Sequence, residues 1–391
     1  MEELVPGIAD TLLRHQSELH SVLTQVATAR AATDEVFRSL RALAGAPWEL
    51  ERNAPRRLGR LAAFLPSNNL LYSYVLFGVI PSLYAEEVRI RPSARVAPAA
   101  MAVHEILAPP LRALGGGRIV MAPSSQREFL AECARCDAVV FTGRPDNGEA
   151  VAAHLSRDAL LLTFGSGPNP VVIGPEADPD AVCRTVLDAR LYNSGQDCLC
   201  PDIIFVHRSL ARRVLPRLAD ALGGVRVGDR RDPGTRVAPL VYPDAVTDAA
   251  GFLARHHEFT IRGGRVDVAR HLVEPTLLHL PWQDAFHPPE LFSPIVLTME
   301  YDDPRQIARW LHSAEESARG MYLSVLGEPA LAGVPRIATS VICDERITFD
   351  VEDGNRPFGG YGPRAGSVRR NGKITGRPLL LSAEAGARPR P

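Results

Sequence analysis

Ile8, Leu12, Leu19, Val22, Leu23 and Val26 recur at the spacing of a helix that buries one face. A second helical pattern over 33–44 is expected to end at Gly45-Ala-Pro-Trp48, where glycine and proline interrupt it. Short apolar runs then alternate with helical patterns. Runs at 61–65, 87–90, 118–121, 137–141 and 160–163 read as strands, with helices such as 98–107 and 125–136 between them. Alternation of this kind means βαβ units around a mostly parallel sheet. A second series follows Gly165-Ser-Gly-Pro-Asn-Pro170, with strands at 171–173, 203–206 and 295–299 and a helix over 179–193. From Gly354 the glycines, prolines and arginines predict a loop crossing a site before a last short strand at 379–382. The most apolar stretch, 70–84, is interrupted by Ser73, Gly78, Pro81 and Ser82 and falls short of a membrane span, so a buried helix is expected there.

Composition narrows the picture. A chain of 391 residues with 46% hydrophobic and 23% charged side chains has material for two or three globular domains. Forty-four basic residues nearly cancel forty-five acidic ones, so no overall field recruits nucleic acid or an anionic membrane. Six cysteines do not make a disulfide framework. Cys133-Ala-Arg-Cys136 has zinc-ligand spacing without a second pair, and a helix running into the strand at 138–141 is the preferred account; no metal is expected. The start, Met1-Glu2-Glu3-Leu4, is acidic where a secretory signal would be basic, which points to the cytoplasm.

The strongest local chemistry is Asn193-Ser-Gly-Gln-Asp-Cys198-Leu-Cys200, between a predicted helix and a predicted strand. A cysteine on such a turn, beside backbone N–H groups and the Gln196 amide, suits a thiolate nucleophile with an oxyanion site. A cysteine in a glycine-containing turn is more often a small core residue than a nucleophile, and these residues alone leave both open. Cys200 is read as packing in the strand rather than as a disulfide partner.

Several motifs fall in one order along the chain. They are Pro66-Ser-Asn68, Arg89-Ile-Arg91-Pro92-Ser93, Phe141-Thr142-Gly143, Pro168-Asn169-Pro170-Val171-Val172-Ile173, Gly195-Gln196-Asp197-Cys198, Glu290-Leu-Phe292-Ser-Pro294 and Pro357-Phe358-Gly359-Gly360. This ordered set resembles the aldehyde dehydrogenase superfamily. The resemblance implies an α/β fold with a Rossmann-type cofactor domain and a second α/β catalytic domain. The parts would be N-terminal helices and cofactor domain over 1–165, the cysteine domain over 166–360, and a C-terminal loop and tail over 361–391. Cys198 would attack a carbonyl carbon, with the Asn68 amide and the Cys198 N–H steadying the oxyanion. Arg91 and Ser93 would meet the adenosine ribose, and Thr142, Gly143 and Arg144 the phosphates. Glu290, in one segment with Phe292, would hold the nicotinamide ribose, and Gly165 belongs to the same cofactor set. Phe164, Gln196, Phe358 and Arg364 are the substrate-side candidates.

The chain also departs from that pattern. The glutamate that activates water in hydrolytic members falls on Phe164, or on Thr163 with a one-residue shift, and neither takes a proton from water at neutral pH. A second acid found after Phe-Gly-Gly in some members gives way to Arg364, Arg369 and Arg370. These could pair with phosphate or carboxylate on a substrate, or form a solvated basic tail, which is preferred. Ala94 stands where many members carry an acid for the adenosine ribose, with Arg89, Arg91 and Arg95 close by, and Arg144 replaces a serine. This tilts the cofactor slightly toward NADP over NAD. The 48–60 stretch is too short for the strand excursion that pairs subunits in the family, which leaves a homodimer open but less secure.

Three functions follow. The first is NAD(P)-dependent oxidation of a small aldehyde through a thiohemiacetal and a thioacyl-cysteine. The second is acylating or reductive chemistry on an activated acyl group, with coenzyme A, phosphate or a carrier thiol as partner, favoured by the missing glutamate. The third is an inactive scaffold, disfavoured because Cys198, Asn68 and Glu290 are all retained.

Overall fold

The computed structural model describes residues 3–165 and 167–386; Met1 and Glu2 of the acidic start, Ser166, and 387–391 of the tail lie outside the described residues. Helices α1 (Leu4–Arg14), α2 (Gln16–Leu23) and α3 (Ala29–Asn53) come first. Ile8, Leu12, Leu19 and Leu23 are buried in the first apolar core, where α1 and α2 pack on α3 and on the later helix over Ala97–Ala113, as their spacing requires. Contrary to expectation, α3 does not stop at Gly45 but runs through Pro47. Proline forfeits one helical hydrogen bond. Beside this break a distant side chain spans the helix: Asn355 Nδ2 donates to the Ala42 carbonyl (2.9 Å) and to Glu49 Oε2 (2.8 Å). A Cβ on Gly45 would lie 2.1 Å from Asn355 Oδ1, so the glycine that looked like a breaker makes room for the brace.

The first α/β unit runs β1 (Leu58–Phe64), α4 (Leu70–Tyr74), β2 (Ala85–Arg91), α5 (Ala97–Ala113), β3 (Arg118–Met121), α6 (Gln126–Cys133), β4 (Ala138–Thr142), α7 (Pro145–Ala153) and β5 (Leu160–Phe164). The apolar stretch after Asn69 is buried as expected, continuing from α4 as a π-turn over Val75–Val79 and a 3₁₀ turn over Pro81–Leu83. Ser125 and Glu128 close a capping box that starts α6. Cys133 and Cys136 are buried in an apolar cluster with Phe129, and burial pushes both thiols up. The five strands are parallel in the order β5-β4-β1-β2-β3. Strand order therefore reverses between β1 and β4, and ligands bind beyond the carboxyl ends of strands at such a point. Phe64 of β1 pairs with Phe141 of β4, so the loops carrying Asn68 and Gly143 leave the sheet side by side.

The second unit contains β6 (Val171–Ile173), α8 (Pro179–Arg190), β7 (Ile204–His207), α9 (Arg208–Gly223), α10 (Pro243–Arg255), β8 (Thr260–Arg262), a small ribbon of β9 (Val266–Asp267) and β10 (Leu272–Val273), and β11 (Thr276–Leu280). It continues with β12 (Ile295–Tyr301), α11 (Pro304–Leu311), α12 (Ala314–Arg319), β13 (Tyr322–Leu326), β14 (Arg336–Ile337), β15 (Ser340–Asp344) and α13 (Thr348–Val351). Its sheet order is β14-β15-β13-β6-β7-β12-β11-β8, parallel except at the two edges.

Past Gly354 the expectation of loop and final strand is corrected. Strands β16 (Gly366–Arg370) and β17 (Lys373–Gly376) form a hairpin whose first strand adds antiparallel to β5 of the first sheet. Its turn is Asn371-Gly372, both at positive φ (51° and 76°), the preferred chemistry of a two-residue hairpin turn. Leu379 makes only an isolated bridge to Phe358, and the chain then forms helix α14 (Leu381–Gly386). Among the described residues no helix is long and apolar enough to cross a membrane.

Candidate active site

A cleft of about 1350 Å³ opens where the two units meet, beyond the reversal point of the first sheet. Cys198 enters it from the 191–203 connection between α8 and β7. The helix expected to reach Asn193 ends at Arg190, because Asn193, Ser194 and Gly195 take φ of 46°, 63° and 80°. Glycine takes this conformation freely, but Asn193 and Ser194 do so at a cost and persist there only because their surroundings over-determine them. Asn193 Oδ1 accepts from Thr28 N (3.0 Å), and Ser194 Oγ accepts from Ala238 N (2.9 Å). A Cβ on Gly195 would fall 2.3 Å from the Ser293 carbonyl. Buried Arg190 fastens the same region, donating to Ser293 O (2.6 Å), Pro201 O (3.0 Å) and Asp202 Oδ1 (3.3 Å). Asn169 Nδ2 donates to Cys198 O at 2.7 Å, fixing the peptide of that cysteine.

Gln196 is corrected by this geometry. Its Oε1 accepts from Val241 N (2.7 Å) and its Nε2 donates to Asn193 O (3.2 Å), so the amide braces the turn and is not presented to a substrate. Cys200 is buried, its thiol directed at Tyr192 O (3.8 Å), which agrees with packing. Burial pushes the Cys198 thiol well above its ordinary value; Asp197 and Glu290 push the same way, and Arg38 opposes them.

Across the cleft from this turn, Tyr242 donates to Asn68 Oδ1 at 3.2 Å, and Asn69 Nδ2 donates to Asp197 Oδ2 at 2.7 Å. The loop after β1 is thereby tied to the turn that carries Cys198. The cofactor-side candidates Arg91, Ser93, Thr142, Gly143 and Arg144 line the same cleft, as do Gly165, Glu290 and Phe292. Arg91 donates to Ser124 O (3.0 Å), while Arg95 and Arg144 reach Asp244 (3.1 Å) and Asp248 (3.7 Å) on α10. Arg89 is withdrawn from this group, because its guanidinium is engaged by Glu132 (2.6 Å) and Glu87 (3.0 Å). Glu290 accepts from Gly167 N (3.3 Å), and burial with neighbouring Asp202 pushes its carboxyl up to about 8.

On the substrate side Phe164 packs against Phe77 (ring centroids 5.2 Å) and Phe358 (6.1 Å), giving an apolar wall. Arg364 borders the cleft and reaches Asp146 at 3.8 Å. Arg369 and Arg370 do not form a solvated tail. Arg369 donates to Ala152 O (2.9 Å), and Arg370 binds the Glu384 carbonyl, so both anchor the hairpin.

Motif matching missed a polar wall of the cleft. Arg38 from α3 stacks over the Tyr72 ring (4.3 Å) and donates to Glu352 Oε2 (2.9 Å), whose Oε1 accepts from Tyr72 O–H (2.6 Å). No spacing in the chain announces a contact between residues so far apart in sequence. Next to it, the Glu35 carboxyl accepts from Tyr72 N (3.0 Å), and burial pushes it up to about 7. A carboxyl raised on folding holds its proton more tightly folded than unfolded. Its contribution is fully present below its ordinary 4.5 and is lost as pH rises through about 7. Glu35→Gln is therefore expected to weaken the fall in stability between pH 5 and pH 8, gaining on the order of 2–3 kcal/mol over the wild type at pH 8. Urea midpoints at the two pH values measure this, and parallel pH dependences would assign the effect to other groups.

A sequence profile described as the aldehyde dehydrogenase family matches residues 59–373. The NADP(+) succinate-semialdehyde dehydrogenase of Mycobacterium avium is 29% identical over 187 residues, 47% of this chain and 39% of that protein. The aminoacetaldehyde dehydrogenase of Pseudomonas aeruginosa is 28% identical over 261 residues, 63% of this chain and 49% of that protein. The chain thus spans half or less of the length of these relatives. Among solved structures, the NAD+ complex of a Bacillus cereus aldehyde dehydrogenase superposes with TM-score 0.82 at 17% identity, covering 98% of this chain and 81% of that one. Succinic semialdehyde dehydrogenase from Streptococcus pyogenes, with NADP+ bound, gives 0.81 at 17% identity, covering 98% and 87%. Identities this low speak to the fold alone.

Proposed function

Because the chain belongs to the aldehyde dehydrogenase family, we propose that it is an NAD(P)-dependent oxidoreductase working on a small polar aldehyde or acyl group through Cys198. The observation that carries this is the convergence of Cys198, Asn68 and Glu290 on one cleft from three separate parts of the chain.

The cleft suits a dinucleotide. The buried Thr142 hydroxyl, which has no hydrogen-bond partner among the described residues, stands one residue before Gly143 (φ 150°) at the start of α7. A helix N-terminus with a free hydroxyl donor is a favourable seat for phosphate. Thr142, Gly143 and Arg144 would hold the phosphates, Arg91 and Ser93 the adenosine ribose, and Glu290 the nicotinamide ribose. Ala94, with Arg91 and Arg95 also in the cleft, leaves room and charge for a 2′-phosphate, which favours NADP. A bound nicotinamide would supply the hydride acceptor for an aldehyde, or the donor for an acyl group.

The chain's own residues do the rest. Cys198 Sγ, once deprotonated, attacks the carbonyl carbon, and the oxygen gains negative charge beside Asn68 Nδ2 and the Cys198 N–H. On oxidation the acyl group is left on sulfur. Polar Arg38, Tyr72 and Glu352 favour a small substrate with its own hydrogen-bonding groups.

Progress curves of cofactor reduction with NADP+ or NAD+ and a panel of small aldehydes, with and without coenzyme A, and of the reverse reaction with acyl-CoA, test the assignment. Failure of every combination would remove it. Asn68→Ala is expected to lower kcat by about 10²–10³ with little change in KM, because its donor matters only as charge develops. A change confined to KM would deny Asn68 that role.

A second reading, exchange of the acyl group with a thiol or phosphate, is favoured by one observation. Phe164, aligned with the usual water-activating glutamate, is packed between Phe77 and Phe358, and its ring cannot take a proton from water.

A further inference from the structure

Asn68 is useful to the reaction in only one of its two amide orientations. With Nδ2 toward the substrate it donates to the developing oxyanion; turned over, it would present Oδ1 and repel it. The two ends of a carboxamide have nearly the same shape, so packing alone does not choose between them.

We propose that Tyr242 is the positioning residue that makes this choice, its hydroxyl holding Asn68 Oδ1 so that Nδ2 faces the reacting carbonyl. This rests on the proposed role of Asn68. The O–H donates to Oδ1 at 3.2 Å, and a phenol is a better donor than acceptor. Burial pushes the phenol far above its ordinary value; hydrogen bonding from Ser67 and the Arg95 charge oppose the rise and Cys198 adds to it, and burial prevails, so the hydroxyl keeps its proton throughout the working pH range. The ring is steadied by Phe292 (centroids 5.9 Å) and by the Arg95 guanidinium (5.8 Å).

The placement of this tyrosine strengthens the assignment. Val241, its chain neighbour, donates its backbone N–H to Gln196 Oε1 in the nucleophile turn at 2.7 Å. Two adjacent residues thus hold the two halves of the chemistry, one the turn that presents sulfur and the other the amide that receives the oxyanion. The segment just before α10 sets the distance between them. No motif quoted from the sequence includes either residue.

The test is a double-mutant cycle on hydride transfer in a single turnover, using wild type, Tyr242→Phe, Asn68→Ala and the double variant. Tyr242→Phe is expected to slow the step by about tenfold, and the double variant to be no slower than Asn68→Ala alone. Alkylation of Cys198 by iodoacetamide, which displaces iodide at a methylene and develops no oxyanion, should proceed at the wild-type rate in Tyr242→Phe. A merely structural role would slow alkylation as well. Wild-type turnover in Tyr242→Phe, or additive losses in the double variant, would overturn the proposal. An unimpaired Asn68→Ala would instead remove the role of Asn68 and the inference with it. If no hydride transfer is observed, the same four proteins are compared by how strongly propanal protects Cys198 from iodoacetamide through the thiohemiacetal, with the same pattern of losses expected.

Discussion

Cys198→Ala is expected to reduce cofactor turnover by at least about a thousandfold, since no second nucleophile would take over the covalent step. Retention of more than a tenth of the activity would overturn covalent catalysis at this residue. The wild-type thiol should also show a particular pH dependence. Burial, Asp197 and Glu290 all hold it above its ordinary value, so little thiolate exists at neutral pH. Alkylation by iodoacetamide is expected to climb about tenfold per pH unit through neutrality with no plateau below pH 9. Ionisation of Glu290, whose carboxyl sits at about 8, adds negative charge near the sulfur over the same range and delays any plateau further. A plateau at or below pH 7 would mean that the resting enzyme already holds a thiolate, and that Arg38 outweighs the acids.

The acyl group formed on Cys198 is expected to persist in water and to leave rapidly when coenzyme A is added. Intact mass measured after mixing with aldehyde and oxidised cofactor would show an acyl adduct that outlasts many turnover times. Phe164→Glu places a carboxylate where the chain carries a ring, and should speed loss of the adduct in water by about a hundredfold. Thr163 remains beside it in either protein, so the effect isolates one side chain. Rapid clearance in water by the wild type would sink the exchange reading and require another base, with Glu352 in the polar wall the first residue to replace.

Much of this protein is legible along the chain because its signals are local. The parallel strands announce themselves as apolar runs, since a sheet covered on both faces needs no alternation. Ser125 with Glu128 starts α6 by a cap that two residues suffice to make. Of the site residues nominated from motifs, Cys198, Asn68, Arg91, Thr142, Glu290 and Phe358 all border one cleft. Their motifs record how each loop leaves its strand, which is again a local matter. Asn371-Gly372 is likewise a local hairpin signal, masked by the surrounding glycines and arginines, whose composition is that of a loop.

What the sequence by itself determined is therefore most of the strands and helices of the two sheets, a candidate nucleophile, and the family pattern around it. Tertiary structure alone decided whether each nominated side chain was free to act. Gln196, Arg89, Arg369 and Arg370 are engaged by groups that the fold brings to them, Val241, Glu132, Ala152 and Glu384 among them, and α3 runs through Pro47 with Asn355, far along the chain, bonded across it. The same holds for Arg38, Glu352 and Tyr242, which reach the cleft by long-range packing. The physical reason is that backbone preference acts over a few residues, whereas a hydrogen bond is satisfied by whatever donor the fold brings within about 3 Å.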